Sequence, residues 1–71
     1  MKERIGTTAG EIWAFLRQTN EVAISRLPVV LKEKTAVVYQ ALGWLAREGK
    51  VQYRTEGTRT LVSLTESERR R

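Results

Sequence analysis

The chain has 71 residues and a formal net charge of +5, which fits one small domain and favours anionic partners such as nucleic acid or acidic protein surfaces. It contains no His, Cys or Asp. The usual metal sites, catalytic triads and aspartyl chemistry are therefore excluded, and we predict no enzymatic activity, no cofactor and no small-molecule ligand. No apolar run approaches the roughly 20 residues that span a bilayer, so we expect a cytoplasmic protein without a membrane partner.

The first helix is predicted from a capping-box spacing, in which Thr8 and Glu11 each satisfy a backbone NH at the helix start. This helix is expected to run to about Gln18. Its apolar face is formed by residues at helical spacing, namely Ile12, Phe15 and Leu16. Trp13 lies at the edge of that face.

A second helix is predicted after a short extended piece at residues 22–24, which leaves open a short extra strand near Val22. The apolar positions of this helix are Leu27, Val30 and Leu31. A proline deep inside a helix loses a hydrogen bond and clashes with the preceding turn, whereas the first turn tolerates it. Because of Pro28, helix 2 is expected to begin late, at about residues 25–27, or to be kinked.

The third helix is the best-defined element of the sequence. Its apolar residues recur at helical spacing, namely Val38, Leu42 and Leu45. Residues 32–34 form a polar turn before it, Thr35 is the predicted N-cap, and Gly49 is expected to end it in the left-handed conformation.

From Val51 onward apolar and polar residues alternate, which predicts a two-stranded β-hairpin ending at Leu64. Gly57 is able to adopt a positive φ and is the expected centre of its turn. We expect the domain to cover residues 1–64. Residues 65–71 consist of charged residues, one Ser and one Thr, and are expected to form a disordered tail.

Three helices followed by a β-hairpin is the order of elements in a winged helix-turn-helix domain. Two segments carry a closer likeness: residues 5–13, IGTTAGEIW, and residues 38–50, VYQALGWLAREGK. Both resemble a family of small stand-alone prokaryotic winged-helix proteins that is described by its fold and has no established biochemical role. The resemblance implies an α+β winged helix-turn-helix fold and assigns no activity. The sequence departs from the family pattern at residues 26–28, where an ordinary helix-forming stretch is usual.

The first functional hypothesis is a dimeric protein that binds double-stranded DNA mainly through phosphate contacts, with a transcription-related role. Five cations of the turn and wing are the candidate phosphate ligands: Lys32, Lys34, Lys50, Arg54 and Arg59. Helix 3 is expected in or near the major groove, with Thr35, Val37 and Gln40 nearest the bases. Only Gln40 has a bidentate side chain there, so weak base readout is expected. For any single cation, a plain solubilising role is the alternative.

The second hypothesis is a protein-interaction or homodimerisation module that uses the apolar face of helix 3 and binds no nucleic acid. Trp13, Gly43 and Trp44 are its candidate interface residues, because a domain this small cannot enclose all of its large aromatic side chains. Two alternatives stay open for Trp44: packing against the wing, or contact with a partner. Tyr39 is expected to pack on helix 2.

Overall fold

A computed structural model describes residues 2–70 of the chain, with side chains from residue 3 onward. The elements follow in the order α1 (Lys2–Gln18), β1 (Val22–Ala23), a 3₁₀ turn (Ile24–Arg26), α2 (Leu27–Leu31), α3 (Thr35–Arg47), β2 (Val51–Glu56), β3 (Arg59–Leu64) and α4 (Glu66–Arg69). The strands form one antiparallel sheet in the order β1-β3-β2, in which Val22 pairs with Val62. The predicted α+β winged helix-turn-helix fold is confirmed, and the short strand near Val22 is present.

Helix α1 begins well before the predicted capping box, so that prediction is wrong. Thr8 is buried within the helix, and Glu11 is exposed in its middle. The apolar stripe reaches back to Ile5 and continues through Ala9 to Ile12, all of which contact the core. Burial of this stripe offsets the roughly 1 kcal/mol that each helical glycine costs relative to alanine. None of the helices within residues 2–70 is long and apolar enough to cross a membrane.

Helix α2 begins as late as Pro28 requires. The 3₁₀ turn precedes it, and Pro28 occupies its first turn, where the missing NH costs no helical hydrogen bond. Leu27 is buried in the core, while Lys32 ends the helix with a φ of 54°. The late start expected from the sequence is confirmed.

Helix α3 begins one residue earlier than predicted. Its N-cap is Lys34 rather than Thr35, and no side chain caps it. Glu33 Oε1 accepts the NH of Lys34 itself at 2.8 Å, so the bond lies outside the first turn of the helix and does not replace the predicted cap. The other end agrees with the prediction: Gly49 has a φ of 72°, and Lys50 donates back to the carbonyl of Leu45 at 2.9 Å.

The hairpin β2–β3 turns through Gly57 and Thr58, between the paired residues Glu56 and Arg59. Gly57 has a φ of 62°, as the first position of a type II′ turn requires. The inner face of the sheet packs on α1 and α3 through the central strand, which is buried on both faces over residues 61–64. This packing fixes the wing beside α3.

The segment after Leu64 was expected to be disordered, and the structure instead shows the short helix α4 against α1. Trp13 Nε1 donates to Glu68 Oε1 at 2.9 Å, and Glu68 is buried. Arg69 donates to the backbone carbonyl of Asn20 at 2.7 Å. We expected these charged side chains to lie in solvent. Instead, Glu68 is bound by Trp13 of α1, and Arg69 is bound by Asn20 just after α1.

Candidate nucleic-acid interface

The turn between α2 and α3 presents Lys32 and Lys34 beside the N-terminus of α3. The intervening Glu33 belongs to a different contact, because Arg4 of α1 donates to both of its carboxylate oxygens at 2.6 and 3.2 Å. The hydrogen bond from Arg4, followed by that from the Lys34 backbone NH, lowers the pKa of Glu33. Among the described residues neither Lys32 nor Lys34 forms an ion pair. The turn therefore keeps two uncompensated positive charges.

A second basic feature lies on the outer face of the wing, where a cavity of about 540 Å³ separates β3 from α2 and the end of α1. We call it the wing groove and define it by its charged residues: Glu21, Arg26, Arg54, Glu56 and Arg59. Two of the arginines, Arg26 and Arg59, form no ion pair within the described part of the chain.

Arg54 differs from these two arginines because carboxylates already engage it. It donates to both carboxylate oxygens of Glu21 at 2.6 and 3.0 Å, and to Glu56 at 3.3 Å. The hydrogen bond to Glu21 raises the pKa of Arg54, and the same bond lowers the pKa of Glu21. A phosphate must compete with two carboxylates for this guanidinium, so Arg54 is a weaker candidate than its position in the sequence indicated.

Arg26 was missed by the sequence analysis. It lies in the 3₁₀ turn, and the pairing of Val22 with Val62 brings that turn next to β3 and therefore to Arg59. The short strand β1 is the feature from which Arg26 could have been predicted. Pairing of β1 with β3 places the residues that follow β1 along the outer face of the wing.

Lys50 lies apart from the other predicted cations. It precedes β2 at the base of the hairpin, whereas Arg59 lies at the tip, opposite Glu56. The cavity that Lys50 borders is formed by α1, α3 and α4. The five predicted cations therefore do not line one cavity: Arg54 and Arg59 line the wing groove, and Lys50 borders a different one.

The exposed face of α3 also differs from the expected base-reading surface. Val37 is only 3% exposed and packs inside, so its proposed contact with a thymine methyl is excluded. Thr35 and Gln40 are exposed, as that reading requires. Helical spacing in the sequence did not predict that Val37 is buried. The buried side of α3 is broad enough to include two adjacent residues, Val37 and Val38.

A cleft between α3 and β2 is lined by two tyrosines, Tyr39 and Tyr53, which the sequence analysis did not place together. We call it the tyrosine cleft; its volume is about 290 Å³, and its lining residues are Ile24, Tyr39, Leu42, Gly43, Tyr53 and Thr60. Tyr39 is 43% exposed and Tyr53 is 46% exposed. Tyr39 therefore shares a cleft with the wing, while its packing on helix 2 stays a prediction. Partial burial raises the pKa of Tyr53.

Trp13 and Trp44 border a third feature, the tryptophan groove between α1 and α3. Its volume is about 670 Å³, and it is lined by Gly6, Ala9, Gly10, Trp13, Arg17, Trp44, Leu45, Lys50 and Glu68. Trp44 is 48% exposed and faces α1 rather than the wing. Gly43 lines the tyrosine cleft instead, so the three predicted interface residues do not share one surface.

The described residues offer no group of carboxylates, histidines or cysteines that could hold a metal ion. The candidate sites described above are charged and aromatic surfaces.

Several solved structures share the fold. A mutant of Lactococcus lactis ZitR in its apo form is 22% identical with a TM-score of 0.83, and the match covers 97% of this chain and 54% of that one. The adhesin competence repressor AdcR of Streptococcus pyogenes is 21% identical with a TM-score of 0.79, over 89% of this chain and 48% of that one. Protein BT2368 of Bacteroides thetaiotaomicron is 27% identical with a TM-score of 0.78, over 89% and 77%.

The chain thus spans about half the length of ZitR and of AdcR. No curated protein matches it. The family model described as "Winged helix-turn-helix domain (DUF2582)" matches residues 1–64, and the chain belongs to this winged helix-turn-helix family.

Proposed function

We propose that this domain binds double-stranded DNA, mainly through phosphates, and acts in transcription. The proposal is supported by a set of cations that form no ion pair among the described residues, on the turn and in the wing groove: Arg26, Lys32, Lys34 and Arg59. Uncompensated Lys and Arg release counterions when they meet phosphates, which gives affinity independent of base sequence. The similarity in fold to a protein named as a repressor, AdcR, agrees with this role.

In this proposal α3 lies in or near the major groove with Thr35 and Gln40 toward the bases. Gln40 is the one residue of the pair that can bond an adenine bidentately, so discrimination between sequences is weak. Arg54 joins the phosphate contacts only after leaving Glu21, and Lys50 contributes from the base of the wing. The cytoplasmic location expected from the sequence belongs to the same proposal.

A salt titration with a DNA duplex tests the proposal. We expect the logarithm of the association constant to fall linearly with the logarithm of salt concentration, by about 0.9 per phosphate contacted, or roughly 4 for the four cations. Fluorescence anisotropy of a labelled duplex of about 20 base pairs measures this slope between about 25 and 200 mM salt. Absence of binding at about 50 mM salt contradicts the proposal.

A second candidate function is self-association through the tryptophan groove. Trp44 is half exposed beside Gly6, and neither Gly6 nor Gly10 has a neighbouring atom within 4 Å of where a Cβ would stand. A projecting indole next to an open groove is self-complementary, and a two-fold dimer buries the same patch of both subunits. The tryptophan groove shares no lining residue with the wing groove, although Lys50, one of the proposed phosphate contacts, borders it.

Trp44→Ala tests the second candidate. If the groove is a dimer contact, the substitution weakens self-association by about 2 kcal/mol, the scale of an interface hot spot. Sedimentation velocity over a range of concentrations measures the change. Tyr39→Ala removes an equally exposed aromatic side chain of the same helix outside the groove and should leave the association unchanged. An unaltered oligomeric state in a folded Trp44→Ala variant rules the contact out.

A further inference from the structure

One face of α1 is exposed over nearly the whole length of the helix. Its residues recur at spacings of three and four, which places them on one side of the helix: Glu3, Thr7, Gly10, Ala14 and Arg17. The three inner residues are small, and a Cβ added at Gly10 would have no neighbouring atom within 4 Å. The two ends of the face carry opposite charges, an acid near the N-terminus and a base near the C-terminus.

This face borders the tryptophan groove. Gly10 and Arg17 line the groove, and the guanidinium of Arg17 lies 5.1 Å from the centroid of the Trp13 ring. Trp44 lines the groove from α3 and also borders a second cavity of about 430 Å³, which it shares with Gly6. An exposed indole beside small residues leaves apolar surface that a second helix can cover.

The charges of the groove favour an acidic occupant. Two cations line it, Arg17 and Lys50. Its one acid is Glu68, which already accepts a hydrogen bond from Trp13. Glu3 is exposed on the same helix and forms no ion pair among the described residues. A second copy of the chain therefore brings an acid that complements the cations of the groove.

A two-fold axis at Gly10 brings the opposite charges together. In a two-fold dimer each contact is made twice, and antiparallel helices that cross at residue 10 set residues equally far before and after it against each other. Residues 3 and 17 both lie seven positions from residue 10, so Glu3 meets the partner's Arg17 at each end of the contact. Residues 6 and 14 face each other in the same way, and both are small. A parallel contact instead sets like charges against each other.

We propose that this domain dimerises through antiparallel contact of α1 with α1 of a second copy, in which Glu3 of each copy binds the partner's Arg17. The inference rests on the self-association proposed above for the tryptophan groove, and it adds the helix, the orientation and the ionic contacts. Exposed ion pairs contribute little affinity, whereas like charges placed against each other are strongly unfavourable. The charges of α1 therefore select the antiparallel orientation.

Charge reversal on α1 tests this orientation. Glu3→Arg and Arg17→Glu each replace two ion pairs by two like-charge contacts, so we expect each variant to associate at least about 10-fold more weakly than the unmodified protein. Sedimentation velocity over a range of concentrations measures the dissociation constant. Glu11→Arg makes the same change of charge at an exposed position of α1 outside this face, and it should leave the dissociation constant close to that of the unmodified protein.

Combining the two substitutions should restore association in two ways. In an equimolar mixture of Glu3→Arg and Arg17→Glu, one copy carries two positive residues where the other carries two negative ones, so a mixed dimer should form. The chain that carries both substitutions exchanges the charges of positions 3 and 17 and should dimerise as the unmodified protein does. Each native charge also suits the dipole at its own helix end, so circular dichroism is used to confirm that every variant is folded.

Each other outcome overturns the inference. Single variants that associate as strongly as the unmodified protein, or a mixture of folded variants that stays monomeric, overturn it while self-association stands. A loss in Glu11→Arg as large as that in Glu3→Arg would show that overall charge controls association. An unmodified protein that is monomeric at every concentration overturns the proposed self-association as well.

Discussion

Glutamine at positions 26, 32, 34 and 59 in place of the native cations should abolish most of the DNA affinity. Each cation that contacts a phosphate contributes about one to the slope of the salt dependence, so the slope should fall by about four. The expected loss of affinity at low salt is about 100-fold or more, the scale of four exposed ionic contacts. The same anisotropy titration measures both quantities, and an unchanged slope would show that DNA contacts another surface.

A pair of charge-matched variants separates surface from net charge. Arg26→Gln with Arg59→Gln removes two charges from the wing groove, while Arg47→Gln with Arg70→Gln removes two from the end of α3 and from the residue that follows α4. The first pair should lower the slope by about two, and the second should leave it within experimental error. Equal effects of the two pairs would mean that only the overall charge of the protein attracts the nucleic acid.

Ile12→Ala should unfold a large fraction of the molecules. Ile12 is fully buried in the core between α1 and α3, and truncation of such a residue costs about 2–5 kcal/mol. A single core in a domain of this size supplies roughly 3–5 kcal/mol of net stability. One substitution therefore removes most of what holds the fold, and urea titration followed by circular dichroism measures the loss.

Two further variants of α1 calibrate this result. Ile12→Val removes one methyl group and should cost about 0.5–1.5 kcal/mol. Glu11→Ala is the adjacent exposed position and should change the free energy of unfolding by less than about 0.5 kcal/mol. A loss in Glu11→Ala as large as that in Ile12→Ala would contradict the assignment of Ile12 to the core.

The sequence predicts an element correctly wherever the local preference of its residues and their long-range packing favour the same structure. Gly49 ends α3 as predicted because a positive φ is a local requirement, and Pro28 delays α2 for an equally local reason. The start of α1 was missed because the capping-box pattern at Thr8 is outweighed by burial of Ile5 and Ala9 against the core. Tertiary contacts decide that helix end, and a local pattern does not reveal them.

The sequence indicates which types of residue form the candidate site, but it indicates less well which of those residues lie together in space. Lys32, Lys34 and Arg59 were named from the sequence, and they form no ion pair among the described residues. The salt bridge between Arg54 and Glu21 joins residues 33 positions apart, and no spacing pattern in the sequence predicts this contact. The meeting of Tyr39 with Tyr53 depends in the same way on how the wing packs beside α3.

The Arg54 contact also bears on the solubility of the domain. In the sheet order β1-β3-β2, strand β2 is an edge, and its residues beyond Val51 are all exposed. An exposed edge strand invites pairing with a strand of another molecule, and charged side chains along it oppose such pairing. Arg54 and Glu56 stand on this edge and are tied to each other, and Arg54 is also held to Glu21. The same salt bridges that restrain one arginine in the wing groove therefore protect the hairpin from edge-to-edge aggregation.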